Sequence, residues 1–286
     1  MLRFCTDIET NADFELGVGI TELAGSAGCG KTQIALSVCV TSACTRLKVP
    51  DLSTPGPFGK AIYLSLGEGT SQCVIAKRLS QMAAARLANA TANLAGQSVT
   101  SILGRILTRF IRNQDEFETF VFHELPRVLG QDNDIAFVAV DSIASMYRAL
   151  DGSHSKGAVE RSGLLFCIAA QIKKLSGHHR VPFVVINQVT TDFKFSWNSN
   201  IPALGLSWAN CVNVRYFLSR DENVPRMALS EVKDSALGLC TSSFKFHRRI
   251  RIAFSPSRGP SAVGFGIDSA GAEGLDAQER YLQTKF

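Results

Sequence analysis

The sequence predicts an α/β fold, a largely parallel central sheet with helices packed on it. Three observations carry this. Four short apolar segments, residues 20–24, 61–66, 135–140 and 181–186, have the length and composition of buried parallel strands. Helical stretches separate them, as the crossovers of a parallel sheet require. The strands end in a glycine-rich turn or in polar residues, at the edge where open α/β sheets bind their ligands.

The first strand runs into Gly25-Ser26-Ala27-Gly28-Cys29-Gly30-Lys31-Thr32. This stretch matches G-x-x-x-x-G-K-[ST], a phosphate-cradling loop. Its glycines let successive backbone N–H groups converge on one anion, and the helix that starts there adds its positive end. Lys31 reaches the outer phosphates of a nucleotide, and Thr32 offers its hydroxyl to Mg²⁺. Residues 33–40 read as an apolar helix, so the motif has its strand–loop–helix setting. Cys29 lies at a helix N-terminus, where a thiol pKa tends to fall. It reads either as loop filler or as a redox sensor. Residues 1–19 are short, mixed in charge, and read as an edge segment.

Residues 50–59 hold Pro50, Pro55, Gly56, Pro57 and Gly59 and form a surface connection. The second strand, 61–66, ends at Gly67-Glu68-Gly69-Thr70. A carboxylate just past a strand end, beside a phosphate loop, is where a water-activating base belongs. Glu68 fits that role, and equally fits a turn between two glycines. Residues 74–94 read as a helix and 98–111 as a strand or helix on the sheet. Residues 115–129 read as a helix interrupted by Pro126, which is costly away from a helix boundary. The third strand, 135–140, ends in Asp141. An apolar strand with an acid at its carboxyl end is a Walker-B pattern, and with the phosphate loop present it makes Asp141 a Mg²⁺ ligand.

Residues 148–163 are polar and glycine-bearing and read as a flexible segment. Leu164, Leu165, Ile168, Ala169, Ile172 and Leu175 then form one apolar helical stripe, with Gly177 as its C-cap. The fourth strand ends at Asn187-Gln188, where an amide can contact a γ-phosphate or simply close a strand-end hydrogen bond. Residues 190–202 read as a loop whose Phe193, Lys194, Phe195 and Trp197 suit either base stacking or cover for a helix. In residues 244–254, Phe244, Phe246, Arg248, Ile250, Ile252 and Phe254 share one strand face and Lys245, His247, Arg249 and Arg251 the other. This is an edge strand, either merely solvated or facing phosphate. Residues 272–286 form a polar tail that frays.

Composition sets the remaining bounds. With 286 residues, 45% hydrophobic and 19% charged, the chain can bury a sizeable core. A net charge of +5 permits an anionic partner without demanding one. The eight cysteines (Cys5, Cys29, Cys39, Cys44, Cys73, Cys167, Cys211 and Cys240) form no C-x-x-C pair, which gives a zinc or dithiol site little support. Their scatter through apolar segments suits reduced, buried thiols in a cytosolic or nuclear compartment. Asp7 and Glu9 interrupt any secretory apolar region, and the apolar run 34–44 is too short to span a bilayer.

These residues resemble a known family. Gly19-Ile20-Thr21-Glu22-Leu23-Ala24-Gly25 running into Gly30-Lys31-Thr32-Gln33 is similar to the RecA-type recombinases of eukaryotes. So are Ala139-Val140-Asp141-Ser142-Ile143-Ala144 with Tyr147-Arg148, and Ile186-Asn187-Gln188-Val189-Thr190. Pro202-Ala203-Leu204-Gly205-Leu206-Ser207-Trp208-Ala209-Asn210 narrows the likeness to the recombinase paralogues. The resemblance covers residues 17–270.

It implies a RecA-like P-loop ATPase core over residues 1–270, with helices on both faces of the sheet and a tail at 271–286. ATP and Mg²⁺ are the implied cofactors. The implied role is homologous-recombination repair of DNA double-strand breaks, in the nucleus and also the cytoplasm. The implied partners are another RecA-like paralogue subunit, the main recombinase, and single-stranded or branched DNA, with no membrane. By match, the segments after Arg148 and at 190–202 correspond to the family's two DNA-binding loops. This makes Arg148, Lys156, Arg161, Lys194 and Trp197 the DNA-contact candidates, with Glu68 and Gln188 as catalytic candidates. Two departures stand out. Only residues 1–16 precede the core, where the family carries an N-terminal helical domain. The family's catalytic Glu sits four residues after the strand tyrosine, whereas Gly67 holds that place and Glu68 follows. Weak DNA-dependent ATPase activity is the expectation. A nucleotide-binding scaffold without hydrolysis and a stand-alone P-loop hydrolase or kinase are the alternatives.

Overall fold

Strand β1 (Gly19–Gly25) is buried at all seven residues and leads through the glycine turn into helix α1 (Lys31–Cys44). The computed structural model describes residues 16–44, 58–67, 71–89, 94, 96–147, 155–192, 199–220 and 248–274. Strands β2 (Lys60–Leu66), β3 (Ile106–Ile111), β4 (Ile135–Asp141) and β5 (Pro182–Asn187) complete the parallel half of the sheet around β1. β4 and β5 are almost wholly apolar and buried, as strands covered on both faces must be.

On the other side of β1 lies β8 (Val214–Arg220), parallel to it. β9 (Arg248–Phe254), β10 (Ala262–Ile267) and β11 (Ala272–Gly274) then continue the sheet antiparallel. Among the described residues the order is β11-β10-β9-β8-β1-β5-β4-β2-β3, nine strands in one sheet. β11 carries the sheet past residue 270, and Ala272 is buried, so residues 272–274 are sheet rather than tail. A second, two-stranded sheet pairs β6 (Val189–Asp192) with β7 (Ser199–Pro202). The segment expected as a loop at 190–202 thus has hairpin ends, and Phe193, Lys194, Phe195 and Trp197 lie outside the described residues.

The period of two along each strand builds two cores. Phe137 and Ala139 face one hydrophobic cluster, together with Leu36, Ile75 and Met82 of α1 and α2 (Gln72–Ala88). Val138 and Val140 face the other, with Phe117, Leu125, Leu165 and Trp208. These come from α4 (Gln114–Thr119), α5 (Leu125–Gln131), α7 (Ser155–His179) and α8 (Gly205–Ala209). Helices therefore cover both faces of the sheet. Two short helices remain, α3 (Val99–Leu103) and α6 (Ile143–Tyr147). Residues 98–111 accordingly split into helix and strand.

Four local readings are corrected. Pro126 does not interrupt one α-helix. A π turn, Phe120–Glu124, separates α4 from α5, and Pro126 falls in the first turn of α5, where its missing N–H is no loss. Helix α7 starts at Ser155, so 155–163 is helical, because its buried stripe outweighs the glycines. Gly177 lies inside α7; the cap is Arg180, at φ 57°. There the N–H of Val181 donates to the Ser176 carbonyl at 3.2 Å, a Schellman closure that satisfies a carbonyl of the last turn. Lastly, β9 lies between β8 and β10 and is no edge. Arg215 pairs Phe254 while Tyr216 pairs Ile252, so β9 carries one extra residue. That bulge takes Phe254 off the face of buried Ile252 and leaves it 51% exposed.

Candidate nucleotide site

Two glycines set the shape of the turn between β1 and α1. Gly28 and Gly30 have φ of 77° and 105°, where an L side chain is strained. A Cβ on Gly30 would also stand 2.9 Å from Ile267 Cδ1 and 3.3 Å from Phe265 Cε2. The antiparallel end of the sheet therefore packs directly on the loop. Lys31 opens α1 with its side chain folded back into the turn. Its Nζ donates to the carbonyls of Gly25 at 2.6 Å and Ser26 at 2.7 Å. Cys29 is fully buried, with its sulfur 3.6 Å from the same ammonium. A thiol so enclosed fills the loop and does not meet solvent oxidants. Not every thiol is buried, since Cys73 and Cys167 are exposed and free.

The first residues of α1 reach the end of β4. Thr32 Oγ1 donates to Asp141 Oδ2 at 2.6 Å, across 109 residues of sequence. Tyr63 of β2 donates its hydroxyl to the same oxygen at 2.7 Å. Burial pushes the Asp141 carboxyl up, while the Thr32 and Tyr63 bonds and the Lys31 charge pull it back down. Burial also raises Tyr63, and the neighbouring Asp141 charge adds to it, so Tyr63 stays a protonated donor. Tyr63 was not singled out from sequence. The signal is the register: Ser65 pairs with Asp141, so Tyr63, two residues back, shares that face of the adjacent strand.

Two arginines also reach the loop. A Cβ on Gly28 would lie 3.9 Å from Arg220 Nη1, and one on Gly30 would lie 3.3 Å from Arg248 Cδ. Arg220 and Arg248 are paired across β8 and β9. Desolvation first, then the Arg220 charge, lowers Arg248. The sequence holds no signal for this pair, because it depends on β8 lying beside β1 and β9 beside β8.

The other candidates scatter. Gln188 is half-buried at the end of β5. Asn187 beside it is fully buried and donates to Glu22 at 2.7 Å and to the Ala203 carbonyl at 2.8 Å. Glu68, Arg148, Lys245 and His247 lie outside the described residues, as does the side chain of Lys156 in α7. Arg161 is half-buried on α7, whereas Arg249 and Arg251 are exposed on β9. Arg251 stacks over Phe217 at 5.7 Å. The geometry thus brings together Lys31, Thr32, Tyr63 and Asp141. One ammonium beside a hydroxyl–carboxylate pair offers a donor to an anion and hard oxygen ligands to a cation such as Mg²⁺. Among the described residues, no helix is long and apolar enough to cross a membrane.

Comparison with known proteins agrees with this architecture. The AAA domain family matches residues 17–191, from β1 through the first strand of the hairpin. The "DNA repair protein XRCC3 homolog" of Arabidopsis thaliana is 27% identical over 280 residues, covering 88% of this chain and 85% of the relative. "DNA repair protein XRCC3" of Mus musculus is 26% identical, covering 92% and 71%. "DNA repair and recombination protein RadA" of Metallosphaera sedula is 31% identical over 61% of this chain and 49% of the relative. The family match takes in the loop, Asp141 and the end of β5, and the chain belongs to the AAA domain family, as a RecA-like member similar to the recombinase paralogues.

Proposed function

We propose that this chain binds ATP with Mg²⁺ at the 25–32 loop and acts in homologous-recombination repair of DNA breaks. In this reading it works in the nucleus as one subunit of an assembly with another RecA-like paralogue, assisting the main recombinase on DNA. The observation that carries the reading is the Thr32–Asp141 bond at 2.6 Å, which joins the glycine loop to the acid of β4 beside Lys31. Thr32 and Asp141 would hold the cation, and Lys31 with the loop backbone would hold the phosphates. A bound Mg²⁺ would neutralise charge on the phosphate chain. The residues of the chain bind and orient, with Tyr63 keeping Asp141 in place. The names of the relatives support the repair role.

DNA contact is assigned to Arg148, Lys156 and Arg161 around the start of α7, and to Lys194 and Trp197 between β6 and β7. Both regions follow strands that end at the nucleotide edge, β4 and β5, so nucleotide state can bias them. The test is a fluorescence titration of labelled single-stranded and duplex DNA. The chain is used alone and with the RecA-like subunit that co-purifies with it, at several salt concentrations, with and without ATP. Binding should need ATP, favour single strands, tolerate any sequence and fall steeply with salt. Trp197→Ala should cost about 1–3 kcal/mol if the indole stacks on a base. Absence of binding in every state at low salt would leave a nucleotide-binding scaffold as the better reading.

A further inference from the structure

Glu22 is a carboxylate in the middle of the central strand, and neither the phosphate loop nor the Asp141 cluster uses it. Its exposure is 0%, and it shares a sheet face with Ile20, where an apolar side chain would be the ordinary choice. Three donors from three elements surround it. Oε1 accepts from Asn187 Nδ2 at 2.7 Å and from Trp208 Nε1 at 2.9 Å. Oε2 accepts from Arg215 Nε. The end of β5, helix α8 and strand β8 thus converge on one carboxylate, three residues before the phosphate loop.

The Asn187 amide is committed on both of its N–H groups. The second donates to the Ala203 carbonyl at 2.8 Å, and the N–H of Ala203 donates back to the Gln188 carbonyl at 2.8 Å. Asn187 Oδ1 has no hydrogen-bond partner. The amide orientation is therefore set by its two donors, and one of their two acceptors is Glu22. The point where the chain leaves β5 and enters the β6–β7 hairpin is pinned from both sides.

We infer that Glu22 is a positioning residue: it holds the Asn187 amide and so sets the Gln188 end of β5, where a third phosphate would be distinguished from two. This rests on the nucleotide reading above. Trp208 belongs to the same device, which gives the Pro202-to-Asn210 segment a function beyond packing.

The test compares the affinity of the full chain for a non-hydrolysable ATP analogue and for ADP by titration calorimetry, with melting followed separately. Wild type should prefer the ATP analogue. Gln188→Ala should lose about tenfold of that preference, the worth of a hydrogen bond to a charged group. R215M keeps the carboxyl group that takes Asn187, so it should melt lower yet retain the preference. E22L/R215M exchanges the ion pair for apolar side chains but leaves the Asn187 and Trp208 N–H groups without an acceptor, so it should melt no higher than R215M and, unlike R215M, lose the preference as Gln188→Ala does. A purely structural Glu22 would move stability and preference together. If the double variant does not fold, Asn187→Ala carries the same expectation, since it removes the amide and leaves Glu22 with Trp208 and Arg215. No binding of either nucleotide by wild type would defeat the nucleotide reading and this inference with it. Binding without an ATP preference, or a preference intact in the folded double variant or in Asn187→Ala, would defeat this inference alone.

Discussion

Lys31 and Asp141 are the two charges around which the loop closes, and they make separate predictions. The Lys31 ammonium lies on the Gly25 and Ser26 carbonyls, where a bound phosphate would take it over. A charge-assisted contact of this kind contributes roughly 1.5–3 kcal/mol. Lys31→Ala should therefore weaken ATP binding by more than about tenfold in titration calorimetry. Unchanged affinity would count against the loop as the nucleotide site. Asp141→Asn keeps an oxygen that can accept from Thr32 and Tyr63 but removes a buried charge. The variant should melt no lower than wild type without nucleotide. Its ATP affinity should no longer respond to Mg²⁺, whereas removing Mg²⁺ from wild type with a chelator should weaken ATP binding. A variant that still responds to Mg²⁺ would place the cation elsewhere.

Among the elements, the α4–α5 segment is the sharpest case of tertiary context overriding a local rule. Proline inside a continuous α-helix costs about 3 kcal/mol, through a lost hydrogen bond and a ring clash. Here the π turn at Phe120–Glu124 widens the backbone ahead of Pro126, and the ring sits in the first turn of α5. Phe120, Val121 and Leu125 are all buried, so the packing of this face holds the wide turn in place. Pro126→Ala should consequently change stability by less than about 1 kcal/mol in urea unfolding, and not recover the 3 kcal/mol of an interior proline. A gain of that full size would mean that the proline is strained. The C-terminus of α7 makes the complementary point. Sequence favours glycine for a left-handed cap, yet Arg180 takes it, because Ser176 ties the helix end to the sheet. Its hydroxyl donates to the Val181 carbonyl at 2.5 Å and accepts from the N–H of Gly19 at 2.7 Å.

On the scale of the whole molecule, the candidate machinery lies along one sheet edge, but it is contributed by strands far apart in the chain. Lys31, Thr32, Tyr63 and Asp141 come from the start of α1, from β2 and from β4, while Gly67 stands where the resemblance places a catalytic Glu. Turnover by the isolated chain should be slow, well under the ~10 s⁻¹ typical of enzymes. Steady-state phosphate release, measured with and without DNA and the co-purifying subunit, checks this. A fast rate from the chain alone would show that it needs no neighbour to complete the site.

Strands β1, β2, β4 and β5 were legible because buried parallel strands must be almost wholly apolar: residues 61–66 and 135–140 stand out between polar segments, and observed strands cover both. The 25–32 loop was legible because its chemistry is local, eight consecutive residues in a strand–helix setting. Asp141 could be chosen from sequence only because a strand end and a phosphate loop imply each other. What sequence could not reveal is what long-range pairing decides. Tyr63 meets Asp141 only because β2 lies beside β4. Arg220 and Arg248 reach Gly28 and Gly30 only because parallel β8 and antiparallel β9 extend the sheet past β1. Glu22 looked like one letter of a strand, and its four-residue cluster exists only once β5, β8 and α8 close around β1. Period and composition act over neighbouring residues, whereas a buried charge is satisfied by whatever the fold brings to it, from up to 193 residues away.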